Sequence, residues 1–90
     1  MHSLEPNDQI VREQFIEWAL QRVPEADTAK MLALLGLRKR GRDLAGLSQR
    51  LVDTYHNIVQ KGADDGVHEK EIVAWLWGAL EFRVLGPADQ

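Results

Sequence analysis

The stretch EIVAWLWGALEFRVL, residues 71–85, restricts the possible folds of this chain more than any other. On a helix, at about 100° per residue, Ile72, Val73, Trp75, Leu76, Trp77, Ala79, Leu80, Phe82 and Val84 spread over about 220° of the circumference. A helix at the edge of a monomer needs an apolar face only a little over ~100° wide. The segment must therefore either be central to a bundle or be covered in part by another chain. In a chain of ninety residues no helix is easily surrounded on every side, so an intermolecular contact is expected.

Trp75 and Trp77, two positions apart, point about 160° away from each other and cannot share a pocket. One is expected in the core with Trp18, Phe15 or Phe82. The other is expected at an interface, where tryptophan buries much area and keeps a polar N–H. Trp77, at the edge of the apolar arc, is the candidate anchor. Ala74 and Gly78 form a small-residue strip that lets another helix approach closely. With Val73 and Val84 these residues make up the candidate protein interface.

The remainder of the sequence has the same helical character. Alternation of period two is absent and good helix formers dominate. Four segments are expected, at about 8–22, 25–35, 43–61 and 67–85. Asn7 is the expected N-cap of the first, and Pro24 ends it because the residue before a proline is driven out of helical geometry. Gly36 is expected to close the second as a left-handed C-cap, and Gly62 with the GADDG loop to end the third. Along the third, Leu44, Leu47, Leu51, Thr54 and Ile58 fall 3-4-3-4 apart and predict one packing seam. The expected fold is all-α, a compact bundle of about four helices in a single domain over 1–90, with 1–6 and 86–90 frayed.

A domain this small buries a limited core, so partners or dimerisation often supplement it. With no cysteine, disulfides, thiolate metal sites and cysteine nucleophiles are excluded. MHSLEPNDQ lacks the basic start and apolar run of a secretory signal, and the apolar stretches fall short of the ~18 residues that cross a bilayer. A cytoplasmic protein without membrane contact is expected.

Against a net charge of −3, GLRKRGRD stands out: Arg38, Lys39, Arg40 and Arg42 lie within five positions. Gly36 and Gly41 have phosphate-loop spacing. However, Arg42 and Asp43 follow where lysine and a hydroxyl should stand, and Asp43 would repel phosphate. A helix-turn-helix fits no better, since Asp43 and Gly46 occupy inward positions and Leu32 replaces the small residue of the helix crossing. The stretch reads as a solvated connector, as a basic patch for an acidic protein surface, or as a nucleic-acid contact.

Catalytic signals are weak. Asp53 and His56 make one carboxylate-x-x-histidine pair, half of what a bundle metal site requires. His68, Glu69 and Glu71 open a helix, where acids suit the dipole. No cofactor is implied. In size, acidity and helical layout the chain is similar to small bacterial antiactivators of quorum-sensing regulators and to phage or plasmid inhibitor proteins, a likeness of outline carried by no single residue. The expectation is a non-catalytic regulatory or adaptor protein that binds, sequesters or inhibits another protein or pairs with itself. The alternative is a nucleic-acid-binding regulator using residues 38–42.

Overall fold

The structure, a computed structural model, describes the backbone of residues 5–86 and side chains from 11 to 86. It is an all-α bundle of four helices: α1 (Glu5–Leu20), α2 (Thr28–Lys39), α3 (Gln49–Asp64) and α4 (Glu69–Leu85). A 3-10 turn, Glu25–Asp27, leads into α2. None of the described helices is long and apolar enough to cross a membrane.

α4 lies at the centre. It packs on each of the other three helices, most extensively on α2. Its Ile72, Val73, Leu76 and Leu80 are buried, a spacing that makes one stripe of the helix. Against that stripe lie Phe15 and Ala19 of α1, Met31, Leu34 and Leu35 of α2, and Leu51, Tyr55 and Ile58 of α3.

Several expected boundaries shift, each for a local reason. α1 begins at Glu5, so Asn7 is inside the helix rather than its cap, and Pro6 occupies the first turn, where its missing N–H costs nothing. Fraying was expected over 1–6 and 86–90, of which 1–4 and 87–90 lie outside the described residues. α2 does not stop at Gly36 but continues to Lys39. The left-handed residue is Gly41, at φ 72°; the Arg42 amide donates to the Leu37 carbonyl at 2.8 Å and the Gly41 amide to Arg38 at 3.0 Å. This is a Schellman end. Gly36 instead serves packing: it is buried, and a Cβ there would lie 3.6 Å from the Trp77 ring.

Likewise α3 runs through Gly62 to Asp64 and ends in a second Schellman motif at Gly66, with φ 82°. The Val67 amide donates to the Gly62 carbonyl at 2.8 Å and the Gly66 amide to Ala63 at 3.0 Å. α3 starts only at Gln49, where the Ser48 hydroxyl accepts the Leu51 amide as an N-cap. Leu44 and Leu47 consequently belong to the connection and flank the core, while the seam proper is Leu51, Tyr55, Ile58 and Gly62. Gly46, with φ 90°, is the residue that keeps this connection out of a helix.

Candidate functional site

Two surfaces of α4 are candidates for a functional site, its solvent-facing stripe and its N-terminal junction with α2. Of the expected interface residues, Ala74, Gly78 and Val84 are exposed. Val73 is 5% exposed and belongs to the core, which corrects its placement on an interface. Trp77 is half-buried: its ring packs beside Gly36, and the Lys39 ammonium stands 4.7 Å from the ring centroid. Its exposed area is thereby reduced, and its first role is to join α4 to α2. Trp75, also half-buried, stacks edge-on against Phe15 at 6.0 Å, with Arg12 over its other side. The two tryptophans thus diverge as expected, each against a different neighbouring helix.

On α4 the large apolar side chains that face solvent are Phe82, Leu85 and Val84, at 61, 76 and 55% exposure. Ala74, Gly78, Phe82 and Leu85 recur at intervals of four, four and three and so share one stripe, opposite the core stripe of the same helix. Among the described residues nothing lies within 4 Å of where a Gly78 Cβ would be. Of these residues only Phe82, at the edge of the apolar arc, stood out in the sequence; Ala74, Gly78 and Leu85 lie in the gap that the arc leaves.

The C-terminal half of α4 is also fastened from inside. Arg83 donates through Nη1 to the Val23 carbonyl at 2.7 Å and the Thr28 hydroxyl at 3.0 Å, and through Nη2 to the Leu20 carbonyl at 3.2 Å. One guanidinium thereby satisfies the end of α1 and the start of α2, a role that residue type and spacing gave no means of seeing. The 3-10 turn is fixed similarly. Arg50 Nη1 donates to buried Asp27 at 2.6 Å, and this hydrogen bond, opposed by burial, holds the Asp27 carboxyl below its ordinary value.

At the other end of α4, Glu69 accepts hydrogen bonds from the Tyr55 hydroxyl and from Arg38 Nε, the latter at 3.3 Å. Burial first, then the hydrogen bond to Glu69 and its charge, pushes the Tyr55 phenol well above its usual value. Arg38 is raised too, chiefly by the neighbouring Tyr55 oxygen. The triad joins α2, α3 and α4 and separates two grooves. A groove of about 480 Å³ is lined by Arg38, Lys39, Gly41, Glu69, Lys70 and Val73. A second, of about 350 Å³, lies on the other side of Arg38 and Glu69, between His56, Val59 and the connection at Asp43 and Leu44.

The basic stretch is therefore divided. Arg38 is a structural tie, Lys39 rests on Trp77, and Arg40 and Arg42 are exposed at the helix end. Asp53 is exposed and accepts from Gln49 at 2.8 Å, while His56 is exposed one turn further on. Among the described residues no group of three or more His, Cys, Asp or Glu could hold a metal ion. Comparison with protein-family models, with characterised proteins and with solved structures finds no match for this chain.

Proposed function

We propose that the protein is a small non-catalytic regulatory or adaptor protein that acts by holding a helix of another protein, or of a second copy of itself, along the outer stripe of α4. One observation supports the reading above the rest: Phe82 and Leu85 lie exposed in line with Ala74 and Gly78. Isolated exposed apolar residues are ordinary, but a contiguous stripe on one helix face suits helix-on-helix recognition. The small half admits a close backbone and the large half supplies anchors. Covering the two anchors fully would contribute about 1.5–3 kcal/mol each, before the costs of association. Trp77 borders the stripe on one side, while Val84 projects away from it, nearer the Val73 edge of the core face.

Site-specific photocrosslinking tests this. A photoreactive phenylalanine analogue at position 82, in cells expressing the full chain, is expected to yield a discrete protein adduct. The same group at position 53, an exposed site on α3, serves as the control. Equal adducts from both positions, or none from 82, contradict the reading.

The exposure of Arg40 and Arg42 beside Lys39 favours a second reading, nucleic-acid binding at the basic corner. Arg38, already tied to Glu69, contributes less to it than its charge suggests.

A further inference from the structure

The distribution of charge carries an inference that does not depend on the α4 stripe. Four of the eleven cations lie at 38–42, leaving seven to face fourteen carboxylates elsewhere in the chain. Folding brings a fifth, Lys70, to the same corner, into the groove that Arg38 and Lys39 line. The carboxylate in that groove, Glu69, is engaged by Arg38 and by the Tyr55 hydroxyl, so it is already shared between two donors. Among the described residues Arg40, Arg42 and Lys70 form no ion pair. Lys39 is held over the Trp77 ring, which positions its ammonium without occupying its hydrogen-bond donors. Val73 gives the groove an apolar wall.

We propose that this groove docks an acidic segment of a protein partner, with carboxylates seated between Lys39 and Lys70. The limited extent of the corner decides the class of partner. A nucleic-acid backbone continues past the groove and meets Asp43, Glu71 and a surface of net negative charge, whereas a short acidic peptide places its few charges where the cations are. Arg40 and Arg42 at the rim add steering, and their contribution is screened by salt.

Fluorescence anisotropy on the full chain provides the test, with three labelled probes: a Glu/Leu peptide, its Gln/Leu counterpart and a single-stranded oligonucleotide of the same charge. The Glu/Leu peptide is expected to bind saturably and more weakly as salt rises, with the Gln/Leu peptide at least about tenfold weaker. Lys39→Ala combined with Lys70→Ala is expected to weaken the Glu/Leu peptide by about tenfold or more. Lys30→Ala, at the far end of α2, is expected to change nothing, and Arg38 is left intact because it ties the helices together. The proposal is overturned if the Glu/Leu peptide does not saturate, if the Gln/Leu peptide matches it, or if the double variant binds as wild type does. Tighter binding of the oligonucleotide at equal salt would assign the corner to nucleic acid instead.

Discussion

Gly62 in the last turn of α3 and Gly78 in the middle of α4 are both glycines inside helices, and their surroundings are opposite. A Cβ at Gly62 would come within 2.0 Å of the Ile72 side chain, and Ile72 is fully buried. Among the described residues a Cβ at Gly78 would meet nothing within 4 Å. The first glycine exists so that α3 and α4 can touch. The second costs helix propensity of up to about 1 kcal/mol, and no close approach among the described residues requires it. The same contrast divides α4 lengthwise: Ile72, Leu76 and Leu80 face a filled core, while Phe82 and Leu85 face solvent. One helix has an inner face that the fold requires and an outer face that the other described residues leave uncovered.

The largest expected effect separates two leucines of that helix. Leu80→Ala removes a fully buried side chain and is expected to cost about 2–5 kcal/mol in urea unfolding. Leu85→Ala is expected to stay within about 0.5 kcal/mol, because its side chain is already in water. Similar costs for the two would erase the distinction between the faces.

Next come the glycines. Gly62→Ala forces Ile72 out of its packed position and is expected to destabilise by about 1–3 kcal/mol despite the gain in propensity. Gly78→Ala is expected to be neutral or to stabilise by up to about 1 kcal/mol, while weakening whatever helix packs on the stripe. Arg83→Ala strips donors from the Leu20 and Val23 carbonyls and is expected to cost about 1–3 kcal/mol, with amide exchange rising at the α1–α2 junction.

The smallest effect concerns pH. The Arg50 hydrogen bond lowers the Asp27 carboxyl in the folded state. Its stabilisation is therefore complete above the unfolded value near pH 4 and is lost as pH falls through the lower folded value. Asp27→Asn is expected to lower stability at neutral pH, where the Arg50 hydrogen bond is intact, and to converge with the parent in acid, so that its acid limb is flatter; an equal loss at neutral and acid pH in urea unfolding would contradict this.

The four helices were legible in the sequence because apolar spacing and propensity agree along each of them. The edges of α2 and α3 were not, because glycine carries two meanings. Gly36 and Gly62 resemble helix ends by type, yet both lie inside helices where another helix passes close by, and only the packed partner reveals this. Tyr55 was missed for a related reason: Leu44 and Leu47 seemed to continue the repeat, which moved the expected seam onto Thr54. At the candidate sites the basic cluster was plain from its charges. That Arg38 is consumed by Glu69, some thirty residues further along the chain, depends on the fold. The outer stripe was hidden for another reason: only Phe82 belongs to the apolar arc of about 220°, at its edge, while Ala74, Gly78 and Leu85 fall in the gap that the arc leaves, where small residues and one leucine do not stand out.

The measurement that tests the central claim most directly pairs folding with association in one variant, Phe82→Asp with Leu85→Asp. A photocrosslinker at position 78 reports contact on the stripe, and urea unfolding of the same protein reports stability. The expected result is loss of the adduct with stability within about 0.5 kcal/mol of the parent. An adduct that persists, or a protein that unfolds, would contradict the division of α4 into a folding face and a binding face.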